Sequence, residues 1–240
     1  MKIMDIAIMY SGGKDSTYAI DLAKEKGYDI KYLISIKPTR TDCYLFHFAT
    51  VEHTIELANI LGIPQVYATC DIADPKEEAK IVKELVEQNQ QKNPIEALVL
   101  GGVGLQETQI KSIRDALFPL GIEVFASHTG NDHSSLIQQM IKKGYKILVT
   151  QVAADGLTEE WLGKELNQEN FEKLKRLSEK YGFHLGAEGG HYDSLVIDGP
   201  IFDKSLEIIK SEKIMETENS GHLVIKKLAV KDKEFGMSVH

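Results

Sequence analysis

Six consecutive residues near the start of the chain, Ser11-Gly12-Gly13-Lys14-Asp15-Ser16, combine hydroxyls, glycines, a cation and a carboxylate. Adjacent glycines let the backbone turn tightly and approach a ligand without Cβ interference. The run separates an apolar stretch, Asp5–Tyr10, from an amphipathic one, Thr17–Lys26, which Gly27 ends. In a strand–turn–helix setting, the first N–H groups of the helix form an anion site. Ser11 and Ser16 add hydroxyl donors to it, and Lys14 adds a point charge. Asp15 would repel a phosphate by itself; it makes sense as a helix cap or as a ligand to a divalent cation bridging phosphates. The loop is not a Walker A motif, which needs glycine where Ile8 stands and Ser or Thr where Asp15 stands.

A second cluster lies far downstream, at Glu188-Gly189-Gly190-His191-Tyr192-Asp193, followed by Ser194 and Asp198. Glu188 beside two glycines puts a carboxylate on a turn whose backbone can contact a ligand closely. Asp193 and Asp198 fall at different phases of a strand, so they need not share surroundings; a β-turn with edge-strand charges is the plain alternative. Gly101-Gly102-Val103-Gly104 closes an apolar run, Glu96–Leu100. Close backbone approach to an adenine or ribose and an ordinary βα turn explain it equally well. Glu107 occupies the place of a third glycine, which disfavours a dinucleotide fingerprint. His128 and His133 flank a turn, where a solvated or capping role outweighs metal ligation. Cys43 and Cys70 are far apart and begin no CxxC, so they read as ordinary buried thiols. Trp161 reads as a packing anchor.

These residues need a scaffold. Asp5–Tyr10, Asp29–Ile36, Gln65–Cys70, Glu96–Leu100, Ile122–Ala126 and Lys146–Val152 have strand character. Helical stretches separate them: Thr17–Lys26, Val51–Leu61, Pro75–Asn89, one from about Gln106, and Asp132–Lys143. Such alternation predicts α/β architecture, with parallel strands joined by right-handed crossovers and ligands beyond the C-terminal strand ends. Beyond it come a helix over Asn167–Tyr181, a strand over Tyr192–Asp198, and strands Leu206–Met215 and His222–Val230 around a turn at Glu218–Gly221. The change of pattern predicts two parts: residues 1–125 as an α/β domain carrying the Ser11–Ser16 loop and 126–240 as a smaller α+β subdomain covering the sheet edge.

Composition narrows the function classes. The chain has 240 residues, with 28 Lys and Arg against 36 Asp and Glu, a net charge of −8. That balance lacks the basic excess of a phosphate-backbone binder, so no nucleic-acid partner is expected. No apolar run is long enough for a membrane span and no signal peptide is evident, so a cytoplasmic protein without membrane attachment is expected. Homo-oligomerisation is left open.

The SGGKDS loop resembles the signature of the PP-loop ATP pyrophosphatases, which have an open, mostly parallel HUP-like sheet. Gly156-Leu157, Trp161-Leu162-Gly163, Glu188-Gly189-Gly190, Tyr192 and Val196-Ile197-Asp198-Gly199-Pro200 extend the resemblance. Within that superfamily, their order resembles the diphthine–ammonia ligase (diphthamide synthase) family, from Asp5 to about Phe202. The resemblance implies a ligase that adenylates a carboxylate with ATP and Mg2+, after which ammonia displaces AMP. It implies diphthine on translation elongation factor 2 as the protein substrate and ammonium as the nitrogen source. Ser11, Gly12, Gly13, Lys14, Asp15, Ser16, Gly101 and Gly102 would hold the nucleotide, with Asp15 toward magnesium. Glu188, Gly189, Gly190, Tyr192 and Asp193 would meet the acceptor; Lys14, Asp15, Glu188 and His191 would be catalytic. At Glu188 the carboxylate could orient ammonia, bind the trimethylammonium group of diphthine or hold magnesium.

Three stretches depart from the family pattern. His191 replaces the second glutamate of EGGEY, Leu105-Gln106-Glu107-Thr108 replaces a serine–acid–Tyr-Gln run, and Ser127-His128-Thr129 replaces Pro-Leu-Trp. All three are expected on the side of the second substrate, not on that of ATP. A paralogue with another carboxylate or a tRNA base as acceptor, and a non-catalytic adenine-nucleotide-binding module, are the alternative readings.

Overall fold

The structure is a computed structural model that describes residues 3–40, 45, 46, 50–102, 107–129 and 132–233. Cys43, His47, Gly104, Leu105 and Gln106, together with the side chains of Glu107, Thr108 and His133, lie outside the described residues.

Five parallel strands form the first sheet: β1 (Asp5–Met9), β2 (Asp29–Pro38), β3 (Gln65–Cys70), β4 (Ala97–Leu100) and β5 (Glu123–Ala126). Their spatial order is β3-β2-β1-β4-β5. The crossovers carry α1 (Lys14–Glu25), α2 (Thr54–Leu61), α3 (Pro75–Asn89) and α4 (Glu107–Leu117). Local chemistry sets several boundaries. Asp74 accepts from the Lys76 and Glu77 N–H groups at the start of α3, and Pro75 fills a position that needs no donor. α2 ends at Gly62 with φ of 65°, a left-handed cap.

The central strands are covered on both faces, which is why Ile6-Ala7-Ile8 and Ala97–Leu100 read as unbroken apolar runs. Ile6 and Ile8 face one way, toward Tyr18 and Ile20 of α1 and Leu57 and Leu61 of α2. Ala7 faces the other way, toward the core formed by Val82 and Val86 of α3 and Ile113 and Leu117 of α4.

The remainder comprises α5 (His133–Lys142), β6 (Lys146–Ala153), α6 (Gln168–Tyr181), β7 (Tyr192–Asp198), β8 (Lys204–Thr217) and β9 (Ser220–Asp232). Its strands make a separate antiparallel sheet, ordered β7-β6-β9-β8. The β8 and β9 strands run longer than their apolar pattern predicts, leaving Glu218-Asn219 as the connection. Ile147 and Val149 of β6 and Leu195 and Val196 of β7 join the same core as Ile6, Ile8, α1 and α2. The second sheet is therefore packed against α1 and α2 through a core shared with the first sheet. The apolar pair Leu195-Val196, each side chain worth about 1.5–3 kcal/mol when buried, favours that packing. No helix among the described residues is long and apolar enough to cross a membrane.

Candidate functional site

Strand order reverses at β1: the chain proceeds outward through β2 and β3, then returns to the other side for β4 and β5. In open sheets the crevice beyond the C-terminal ends at such a reversal is where ligands bind. A cleft lies there, lined by Tyr10, Ser11, Asp15, Ser16, Leu45 and Gly101 among others.

The loop between β1 and α1 is built around its two serines. The Ser11 N–H donates to Ser16 Oγ at 3.2 Å, the Gly13 N–H to Ser11 Oγ at 3.4 Å, and Ser16 Oγ donates to the Gly13 carbonyl at 3.2 Å. Gly12 has φ of 78°, a conformation that favours glycine. Gly13 is the N-cap of α1 and brings no side-chain cap. The first-turn amides of α1 thus lack the local acceptor that Ser, Thr or Asp would supply, a helix end suited to an external anion.

Gly101 has a more demanding role than either sequence reading. A Cβ on it would stand 2.6 Å from Ser16 N, 2.8 Å from Ser16 Cα and 2.9 Å from Asp15 C. The close backbone approach is to the first turn of α1, and Gly101 lines the cleft from the opposite wall. Gly102, with φ of 101°, accepts at its carbonyl from the His128 N–H at 3.0 Å.

Lys14 is buried, at 4% exposure, and its Nζ lies 3.0 Å from Asp15 Oδ2 and 5.3 Å from the centre of the Tyr192 ring. Burial alone would lower its pKa, but the charge and hydrogen bond of Asp15, with the charge of Asp193, overcome that and push it up to about 12. Lys14 is thus a permanent cation packed behind the loop. Tyr192 is pushed up to about 12, chiefly by burial, and its hydroxyl donates to the Leu185 carbonyl at 2.7 Å.

The second sheet completes the loop. The Lys14 N–H donates to Ser194 Oγ at 3.2 Å, the Val196 N–H donates to the Gly12 carbonyl at 2.9 Å, and a Cβ on Gly13 would meet the Ser194 carbonyl at 3.3 Å. Of the second cluster, the structure brings Tyr192, Asp193 and Ser194 to the loop. Glu188 and His191 gather instead around His184. The Glu188 N–H donates to His184 Nδ1 at 3.3 Å, its Oε2 is 3.7 Å from His184 Nε2, and the His184 N–H donates to His191 Nδ1 at 3.4 Å. Ala187, Gly189 and Gly190 all have positive φ, which coils this segment tightly before β7. Asp198 stands apart, paired with Lys146 at 3.3 Å and Lys233 at 2.7 Å.

Sequence reasoning named Ser194 with the second cluster but gave it no role, although its phase with Tyr192 in an alternating strand was a usable signal. It also missed a buried relay behind the loop. Gln65 Nε2 donates to Ser35 Oγ at 2.7 Å and to Thr54 Oγ1 at 2.8 Å, and Ser35 Oγ donates to the Tyr10 carbonyl at 2.6 Å. A lone serine within the apolar strand Asp29–Ile36 hinted at it. His128 corrects the expectation of a solvated role: it is fully buried, and its Nε2 lies 3.2 Å from the Asp15 carbonyl. The Ser127-His128-Thr129 departure therefore touches the first turn of α1. Among the described residues no group of three His, Cys, Asp or Glu side chains could hold a metal ion by itself. Asp15 is the carboxylate at the cleft, fitted to share a cation with phosphate oxygens and not to cage one.

An open parallel sheet whose reversal point meets a helix N-terminus with a glycine N-cap is an arrangement in which α/β proteins hold phosphorylated ligands. Comparison with known proteins takes this further. The diphthamide synthase N-terminal domain matches residues 4–117 and the diphthamide synthase C-terminal domain residues 132–231. The chain belongs to the diphthamide synthase family. Similar curated proteins include the diphthine–ammonia ligases of Mus musculus and Homo sapiens, each 28% identical over 90% of this chain and 87% of their own. That of Danio rerio is 24% identical over 96% of this chain and 98% of its own. A solved structure described as a predicted subunit of tRNA methyltransferase from Methanocaldococcus jannaschii has 16% identity and a TM-score of 0.43, covering 82% of this chain and 98% of its own. By family membership the chain is an enzyme, a ligase that forms a C–N bond.

Proposed function

We propose that this ligase adenylates the carboxylate of a protein-borne diphthine and converts it to the amide with ammonia. The observation that carries the reading is the Ser11–Ser16 loop, with its glycine N-cap facing a cleft at the sheet's reversal point and β7 bonded to its back. ATP lies in the cleft with its phosphates toward Ser11, Ser16 and the first turn of α1. The substrate carboxylate oxygen attacks the α-phosphorus and the bond to the β-phosphate oxygen breaks, so pyrophosphate leaves. Ammonia then attacks the acyl carbon, AMP departs with the electron pair of the C–O bond, and one proton is lost to solvent. Both nucleophiles come from the substrates, so the chain's own work is positioning and electrostatic stabilisation.

Lys14 supplies fixed positive charge behind the loop, and Asp15 offers a carboxylate to a magnesium ion, which would neutralise phosphate charge when bound. The Glu188–His191 segment leads into β7 and reaches the acceptor from the second sheet. Support for diphthine on elongation factor 2 as acceptor is the family membership and the name shared by the relatives. The test is release of AMP and pyrophosphate from ATP on mixing the protein with ammonium and a diphthine-bearing elongation factor 2, with amide formation read by mass spectrometry. No AMP from correctly folded protein under those conditions would overturn the assignment.

A further inference from the structure

His128 follows β5 and Ser127, and it is fully buried although neither sheet pairing nor the proposed chemistry requires a histidine there. Its main-chain N–H donates to the Gly102 carbonyl at 3.0 Å. Its ring Nε2 lies 3.2 Å from the Asp15 carbonyl, its Nδ1 3.2 Å from Ser127 Oγ, and its ring centre 5.6 Å from that of Tyr18. A main-chain carbonyl can only accept, so Nε2 carries the hydrogen and donates it to Asp15. In the neutral ring Nδ1 then accepts from the Ser127 hydroxyl, which sets the plane of the imidazole.

These bonds run to both walls of the cleft. One wall is the first turn of α1, which presents Asp15 and Ser16; the other is the turn after β4, which presents Gly101. The walls touch without slack, as the 2.6 Å between a Cβ on Gly101 and Ser16 N shows. His128 is bonded by its main chain to the β4 turn and by its ring to α1. We propose that His128 is a positioning residue for nucleotide binding, clamping the first turn of α1 against the Gly101-Gly102 turn and so setting the width of the cleft. The inference rests on the reading that this cleft takes ATP. It adds a residue outside both glycine motifs to the machinery that shapes it.

The test compares His128→Phe, which keeps a ring but loses the bond, with His128→Gln, whose side-chain amide can place an N–H near the position of Nε2. Ser127→Ala is the milder third variant, leaving the buried ring in place while removing its Nδ1 partner. ATP affinity of each full-length protein is measured by calorimetric titration, alongside its melting temperature. Loss of one net hydrogen bond at the cleft predicts about three- to ten-fold weaker ATP binding by His128→Phe, near wild-type binding by His128→Gln, and a smaller loss in Ser127→Ala. The inference is overturned if folded His128→Phe binds ATP as the wild type does. It is equally overturned if Phe and Gln weaken binding alike, which would make the role one of packing. Should His128→Phe fail to fold, unaltered affinity in Ser127→Ala overturns it instead. Wild-type protein that binds no ATP would defeat the underlying reading of the cleft as well, and so is distinguishable from either result.

Discussion

Replacing Gly101 with alanine isolates one steric contact. Gly101 is not in a positive-φ conformation, so alanine brings no backbone strain, only a methyl group. That methyl would lie 2.6 Å from Ser16 N and 2.9 Å from Asp15 C. Ordinary contacts begin near 3.4 Å, so the first turn of α1 and the β4 turn must separate by about 0.8 Å along that line. Both obstacles are main chain and cannot rotate away. Overpacking of this kind costs about 1–3 kcal/mol. For a chain of this size that is a fall in melting temperature of about 2–12 °C. Function should suffer more than stability, because a displacement near 1 Å in a positioning element can cost about 100-fold in rate. Gly121→Ala is the matched control: φ is 68° there with nothing within 4 Å of the added carbon, so it costs about 1 kcal/mol of backbone strain and leaves the cleft intact. Thermal melts and AMP release under saturating acceptor and ammonium would be measured for both. If Gly101→Ala melts and turns over like the wild type, the two walls are not in contact and the reasoning fails.

Three further perturbations follow from the geometry. Ser194→Ala removes the acceptor of the buried Lys14 N–H and should cost about 1–2 kcal/mol in urea unfolding, with weaker ATP binding. Lys143→Met breaks the bonds from the end of α5 to Asp21 at 2.9 Å and Glu25 at 2.6 Å on α1; a loss of about 0.5–1 kcal/mol is expected, and combining it with Asp21→Asn should cost less than the sum. At Asp198 burial works to raise the carboxyl pKa, but the hydrogen bonds from Lys233 and Lys146 outweigh it and hold the pKa below its usual value. A depressed folded-state pKa gives stability that is present above about pH 4 and is lost as pH falls through the folded value. Asp198→Asn should therefore be less stable near neutrality yet lose less stability than the wild type on acidification, as measured by urea midpoints at several pH values.

Much of the first sheet could be read from sequence because its signals are local. Gln65–Cys70 and Pro75–Asn89 match their elements end to end, since Asp74-Pro75 and the apolar periods act over a few residues. The SGGKDS loop was legible for the same reason. The burial of the Lys14 ammonium was not, because besides its neighbour Asp15 it faces Tyr192 and Asp193, residues that no local pattern couples to residue 14. Gly101 shows the same limit: two glycines after a strand announce a turn, but not that the obstacle is the backbone of Asp15 and Ser16. His128 illustrates the converse error. A histidine beside a predicted turn is most simply placed in solvent, whereas the tertiary fold buries it against Tyr18 and a helix carbonyl.

The bonds at the loop also bear on how the two sheets relate. A nucleotide loop that needed only the first sheet would be complete once β1, α1 and β4 had assembled. Here the Lys14 N–H is satisfied by Ser194, 180 residues later, and Gly12 carries the Val196 N–H on its carbonyl. Tyr192 closes over the ammonium of Lys14 from the same strand, and Leu195 packs within 3.1 Å of where a Cβ on Gly12 would be. Three of four consecutive residues from Tyr192 to Leu195 thus shape one loop, and the Asp193 charge acts on its lysine. The first sheet alone does not complete the loop, because the Lys14 N–H and the Gly12 carbonyl find their partners on β7. Any shift of β7 caused by a ligand at the Glu188–His191 segment would be felt directly at Gly12 and Lys14, with no intermediary but the strand itself.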